Sequence, residues 1–458
     1  MTQSIADRLG EPSLALNGSF DSSELWTYRH HPFTVPAGVS TIHLRYDYSD
    51  RISADPIVGG GNVLDIGLFD ERGTEAGSAG YRGWSGSDQT EFTVARDWAT
   101  PPYKPGELGE GEWNVLLGAY KIHPERGLHY EVEIWFDPDL QPVERVLYRS
   151  GIPVKPNLPG PIMPGWYRGD LHCHTMASDG DSWLPDVLHA AVETGLDFLG
   201  VTDHNGAIPP ERGVLAAEVD WPVLVPGVEV TTYAGHWNAW GGSGRWYDFR
   251  EPTEAGMQQA MAAANEAGAT VSINHPKPFG PEWRFPAANQ SHAIEIWNGP
   301  WPRLNSVALN VWDDALRSGR RVTAIGGSDM HRLRDERASL ISVAQLGTPT
   351  TWVHVEGELT AEAILAAIRR GDCFVSASPA GPQLITERRS SGVRFQTAGA
   401  RGNALVALSE NGMVETWSIP EERSVHELAW DTDDRYLRAQ IVASDGSMLA
   451  VGNPVYRE

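Results

Sequence analysis

Between Arg168 and Pro379 the hydrophobic period of the sequence switches again and again, and few architectures tolerate that. Short β-rich runs (DFLGVT, PVLVPG, GATVSIN, AIEIWN, RVTAIGG) alternate with longer runs of helical spacing (WLPDVLHAAVETG, EAGMQQAMAAANEAG, LNSVALNVWDDALRSG, TAEAILAAIRRG). Strands alternating with helices predict parallel β/α units, because a parallel crossover needs a connection of helix length. Six or seven such units over residues 168–385 favour a barrel over an open sheet. In the last run Thr360 is placed to cap the helix and Gly371 to stop it.

The flanks read differently. Residues 1–150 carry STIHLRYDYS, NVLDIGLFD, GEWNVLLGAY and LHYEVEIWFD, separated by Gly, Asp, Asn and Pro clusters, which predicts a β-sandwich. His30 and His31 adjoin on a strand, face opposite ways, and are expected in solvent. Residues 151–167 hold five prolines between Pro153 and Pro164 and read as a stiff linker. Residues 386–458 return to strand character and read as a small C-terminal β-domain. A chain of 458 residues is long enough for these several units.

Inside the α/β segment the ionisable residues collect at strand ends. DLHCHT supplies His172 and His174, which point the same way on extended backbone while Cys173 points oppositely. Asp179 follows. GVTDHN supplies Asp203 and His204, VEVTT supplies Glu229, and GHWNAWG supplies His236. SINHPKP ends in His275, and AIGGSDMH in Asp329 and His331. A β/α barrel builds its active site from the C-terminal ends of its strands. One such residue alone is more often a satisfied polar group than a ligand, but six histidines and several carboxylates in this position form a pattern. His189, mid-helix, and His292, at a strand start, are read as structural.

Imidazole with carboxylate and no thiolate favours zinc, manganese or iron, and this many donors suit two or three divalent ions. Cys173 is a poor ligand candidate, and two cysteines in the whole chain suit a reducing, cytoplasmic setting. The N-terminus has no signal-type apolar segment and no run is long enough to cross a bilayer, so no membrane partner is expected. A net charge of −24 argues against a nucleic-acid polymer as partner. Nothing fixes an oligomeric state.

These motifs, in this order, resemble the PHP family, the polymerase and histidinol phosphatase metallohydrolases, over roughly residues 168–380. The resemblance implies a distorted seven-stranded β/α barrel with metal ions at its C-terminal end. It implies a first ion on His172, His174, Glu229 and Asp329, a second on Asp179, His204 and His331, and a third on His236 and His275 with Glu229 bridging. Asp203 matches an aspartate that orients a ligand or faces the substrate, and is taken as a catalytic candidate. EVTTYAGHWNAWG and the ending NPVY look more loosely like the branch that includes carbaryl hydrolase.

Ions set close together activate water and clamp the scissile group. The expected activity is therefore hydrolysis of a small-molecule ester, with a phosphoester first and a carboxyl ester or carbamate second. A non-catalytic metal-binding or interaction module is the rival from another class, and a complete ligand set counts against it. Lys277 is the cation expected beside the metals in a catalytic or anion-binding role, followed by Arg332 and Arg334. Ten of the 18 tryptophans lie between Trp166 and Trp312, and of these Trp237 and Trp297 are expected to line the pocket and Trp240 and Trp301 to lie near it. No GxSxG elbow is present, and the glycines of DPIVGGGN precede no helix, so neither a serine nucleophile nor a phosphate loop is expected.

Overall fold

In a computed structural model of the chain, residues 4–54, 58–142, 146–206, 218–242, 246–278, 281–286, 289–333 and 344–457 are described. Arg334 lies outside them, as do parts of DPIVGGGN and GGSGRW.

The N-terminal segment is two antiparallel four-stranded sheets. One orders Leu14–Phe20, Leu128–Phe136, Thr41–Tyr48 and Glu91–Ala95, the other Tyr28–Val35, Gly111–Lys121, Val63–Phe69 and Tyr81–Gly86. Alternation sets their faces. Leu64, Ile66 and Leu68 turn into the sandwich core with Ile42, Leu44, Val132 and Ile134. The residues between them face the rest of the protein: Phe69, Tyr81, Trp84 and Leu116 share a cluster with Val230, Trp237, Trp246 and Phe249. His30 and His31 do face opposite ways but are half-buried rather than solvated. His30 sits 2.9 Å from Arg250 Nη1 at this junction, and His31 lies 2.9 Å from Tyr130 Oη.

In the α/β segment, seven strands follow one path: Thr323–Gly327, Ala293–Asn298, Thr270–Ile273, Gly235–Trp240, Val223–Thr232, Phe198–Val201 and Trp166–Asp170. Neighbours pair in parallel except Gly235–Trp240, which is antiparallel to both of its partners. The two ends of the path meet beyond the strands, where Cys173 bridges Met330 in parallel and His174 N donates to Met330 O at 2.9 Å. Below that point Thr350–His354 pairs antiparallel with Trp166–Asp170, and Thr351 Oγ1 donates to Gly326 O at 2.7 Å, so this strand wedges between first and last.

The four helices read from sequence are present at Leu184–Thr194, Glu254–Glu266, Asn305–Arg317 and Ala361–Arg370. Thr360 caps the last, its Oγ1 accepting from Ala363 N at 3.2 Å, and Gly371 ends it with φ 79°. That helix departs from the expected parallel unit, because it joins two antiparallel strands, Thr350–His354 and Cys373–Ser376. Its Ile364, Leu365 and Ile368 pack in one cluster with Phe198, Val225, Trp240, Ala293 and Ile325 of five strands and with Leu171, just past the end of Trp166–Asp170.

The C-terminal strands continue the same sheet, since Cys373–Ser376 pairs with Met448–Gly452. A second layer of Gln383–Arg389, Gly392–Ala398 and Arg423–Ala429 covers it over Leu384, Phe395, Leu405 and Ile441. The boundary expected between 385 and 386 thus falls inside a strand. Asn453, within the NPVY ending, binds the backbone of Ala324 and Cys373. Among the described residues no helix is long and apolar enough to cross a membrane.

Candidate metal centre

The strand ends bring His172, His174, Asp179, His204, Glu229, His236, His275, Asp329 and His331 to one place. His172 Nε2 and His174 Nε2 lie 3.2 Å apart, and Asp329 Oδ1 stands 3.3 and 3.0 Å from them. Asp179 Oδ1 faces His204 Nε2 at 3.5 Å and His331 Nε2 at 3.4 Å. Glu229 sits centrally, buried, with Oε1 3.2 Å from both His236 Nδ1 and His275 Nε2, and Oε2 2.8 Å from His204 Nδ1. Donors ~2.1 Å from one tetrahedral ion stand ~3.4 Å apart. Most of the spacings above, from 3.2 to 3.5 Å, lie near that edge length, whereas Asp329 Oδ1–His174 Nε2 and Glu229 Oε2–His204 Nδ1 are closer.

The donor chemistry fits as well. Asp179 Oδ1 is a buried oxygen without a hydrogen-bond partner, an arrangement that is costly unless a cation completes it. Four sets of ligand atoms lie mutually close: His174, Asp179, His204, His331; His172, His174, Asp329; His172, Glu229, His275; and His204, Glu229, His236. His236 and His275 thus join Glu229 in separate sets rather than as one pair. Cys173 turns away as expected, its Sγ near Gly200 O in an apolar cluster with Leu199 and Met330.

The electrostatics follow from crowding. Burial would lower His172, but the carboxylates of Glu295, Asp329 and Glu229 outweigh it and hold it well above the usual imidazole range. His204, half-buried at the cleft, is lifted to about 9, against the cost of desolvation, by Asp179 and Glu229. His174 falls to about 3, through burial and then its neighbours His331 and His204. Burial opposes ionisation of Glu229 and Asp329, yet the surrounding imidazoles keep both well below the carboxylate range.

Several supporting residues were not singled out from sequence. Glu295 Oε1 lies 2.9 Å from His172 Nδ1, and its Oε2 accepts from His275 N at 3.0 Å. Asn274 Nδ2 donates to Glu229 Oε1 at 2.8 Å, and Thr231 Oγ1 sits 2.6 Å from His204 Nδ1. Buried Asp170 accepts from the backbone of His172, Ser328 and Gly347, tying first strand to last. A Cβ on Gly327 would lie 2.4 Å from His172 Cβ, so only glycine lets these two strands approach there. The signal was a lone carboxylate inside an apolar strand (AIEIWN) and another just before HCH. Backbone strain marks the same ends: Asn205, His275 and Asp329 have φ of 43°, 27° and 56°.

Other expectations land elsewhere. Asp203 is buried and accepts from Thr175 N, Thr175 Oγ1 and Ser178 Oγ at 2.7, 2.9 and 2.7 Å, so it shapes the turn carrying Asp179 rather than facing the cleft. Lys277 is fully buried, its Nζ donating to Asn298 O at 2.9 Å and Asn305 Oδ1 at 2.7 Å, which joins a strand end to a helix start. Burial lowers its pKa to about 8. Trp237 and Trp297 are core residues on the outer side of the strands, and Trp240 donates to Leu171 O. Arg332 is exposed and does line the cleft.

That cleft, of ≈ 620 Å³, opens above the cluster between the two halves of the protein. His204, Glu229, His236, His275, Asp329 and His331 line it from the α/β side, and Tyr48, Arg51, Asp65, Trp84 and Tyr120 from the sandwich. His172 and His174 lie beneath. Tyr233 Oη donates to Asp65 Oδ2 at 2.8 Å, and Tyr81 Oη to Asn205 O at 2.7 Å, so the sandwich holds the segments beside Glu229 and His204. Burial lifts Asp65 to about 7.

No family model matches the chain. It is 42% identical over 65 residues to the 5'-3' exoribonuclease Rnm of Escherichia coli, covering 14% of this chain and 22% of that protein. It is 30% identical over 102 residues to a 5'-3' exoribonuclease of Haemophilus influenzae, covering 22% of this chain and 36% of that one. The chain therefore spans well under half the length of these curated relatives. Among solved structures, a two-domain protein of Bacteroides vulgatus containing a predicted PHP-like metal-dependent phosphoesterase is 18% identical, with TM-score 0.40, over 67% of this chain and 100% of that one.

Proposed function

We propose that this protein is a metal-dependent hydrolase of the PHP type, built on a distorted seven-stranded β/α barrel, whose substrate is a phosphoester of a small molecule. The convergence of six imidazoles and three carboxylates at metal-edge spacing, at the floor of one cleft, carries the reading. Asp329 would join His172 and His174 on one ion, Asp179 would join His204 and His331 on a second, and Glu229 would bridge toward His236 and His275. Divalent ions there, zinc, manganese or iron, would supply Lewis acidity to water and to the scissile group. The chain's own part is to hold the nine donors in register, through Glu295, Asn274, Thr231 and Asp170.

Arg332 and Arg51 on the cleft favour an anionic substrate. An RNA substrate like that of the exoribonucleases is not carried over, because a net charge of −24 opposes a long polyanion. A carboxyl ester or carbamate could use the same floor, and the assay separates them. Metal-reconstituted protein is offered bis(p-nitrophenyl) phosphate, p-nitrophenyl acetate and a p-nitrophenyl carbamate. The phosphodiester is expected to turn over fastest, chelator to stop it, and His172→Ala to lower kcat/KM by about a thousandfold or more. Faster cleavage of ester or carbamate overturns the phosphoester assignment, and no turnover with metals bound overturns the enzyme.

A further inference from the structure

The two walls of the cleft differ in chemistry. The α/β wall carries the ligand cluster, whereas the sandwich wall sets three aromatic side chains, Tyr48, Trp84 and Tyr120, among polar ones that include Arg51, Asp65 and Asp88. These rings are braced. Trp84 packs on Phe249 with centroids 5.7 Å apart, and Tyr120 stacks on Tyr233 at 5.1 Å and 23°. Arg51 lies over the Tyr48 ring at 5.0 Å and donates to Ser87 O, which leaves a cation beside the aromatic faces. Rigid aromatic side chains set opposite a polar floor suit a ligand with one planar apolar end and one anionic end.

We propose that the sandwich is the recognition half of the site, and that the substrate is an anionic ester bearing an aromatic group that stacks on Trp84 and Tyr120. Its acid group lies toward the ligand cluster and Arg332. The inference rests on the phosphoester reading and narrows it. The strands explain why a domain outside the α/β segment can do this: on Gly111–Lys121 Trp113, Val115, Leu117 and Ala119 fill the sandwich core while Leu116 and Tyr120 turn the other way, and on Tyr81–Gly86 register slips against Val63–Phe69 bring Tyr81 and Trp84 to the junction together.

The test separates recognition from turnover. Phenylphosphonate and methylphosphonate are titrated calorimetrically into the metal-reconstituted full chain, where neither can be hydrolysed. Phenylphosphonate is expected to bind about tenfold tighter, the scale of one aromatic contact with its buried area. Tyr120→Leu and, separately, Trp84→Leu are expected to shrink that ratio. Tyr120 is half-buried, so its variant reads the wall even if Trp84→Leu loosens the junction. Equal affinities in the parent, no binding of either, or a ratio untouched in Tyr120→Leu overturns the proposal. Hydrolysis of p-nitrophenyl phenyl phosphate and p-nitrophenyl methyl phosphate, which share a leaving group, is followed alongside. Failure to cleave either sinks the phosphoester reading while the phosphonate ratio still decides the wall.

Discussion

His172 offers one imidazole nitrogen to the cluster and the other to Glu295, which fixes both its tautomer and its ring orientation. Glu295→Gln keeps the volume but removes the charge that favours this arrangement. Metal affinity is expected to fall about 10–100-fold, read by competition with a chromophoric chelator; an unchanged affinity would show that Glu295 does not orient the ligand. Asp65 gives a pH dependence whose sign follows from burial. Its folded-state pKa of about 7 lies above the ordinary 3.8, so the unfolded chain ionises first and stability drains away as pH rises from about 4 to 7. In chelator-treated protein, Asp65→Asn is expected to match the parent below pH 4. At pH 8 it should exceed it by on the order of 4 kcal/mol in urea denaturation, with the Tyr233 hydroxyl still able to donate to the amide oxygen. A variant less stable than the parent at pH 8 would contradict this.

At the scale of elements, the four helices were legible from their period, and at the last of them the cap at Thr360 and the stop at Gly371 agree with it. The strand-end residues were legible because a parallel unit puts its C-terminal ends on one side. What the hydrophobic pattern did not carry was strand direction. GHWNAW alternates equally well either way, and only pairing makes it antiparallel to both neighbours. Trp237 adjoins His236, and the rule that puts His172 and His174 together sends adjacent side chains to opposite faces. Trp297 was harder, because the register slips between Glu295 and Trp297 and that irregularity turns the ring outward. Lys277 was read from its charge alone, and charge does not reveal the Asn298 and Asn305 oxygens that hold it inside.

At the scale of the molecule, the sandwich face that meets the α/β body was illegible for a simple reason. Its Asp65, Gly67 and Phe69 alternate with core residues as a solvent face would, and only the partner surface buries them. Gly118 tests how close that docking is. A Cβ there would stand 2.3 Å from Tyr233 Oη and 2.6 Å from Tyr28 Cε1, nearer than any real Cβ contact. Neither ring can yield freely, since Tyr28 and Tyr233 stack at 5.0 Å, Tyr120 closes the other contact, and Asp65 binds the Tyr233 hydroxyl. Gly118→Ala therefore has to open the junction or tilt Tyr233 off Asp65. Overpacking of this kind costs about 1–3 kcal/mol, which urea denaturation would read. Because Tyr233 and Tyr120 also line the cleft, phenylphosphonate binding should weaken in the same variant while far-ultraviolet dichroism stays that of the parent. Full stability together with full phosphonate affinity would mean that the two halves merely touch, and the sandwich would lose its claim to be a wall of the site.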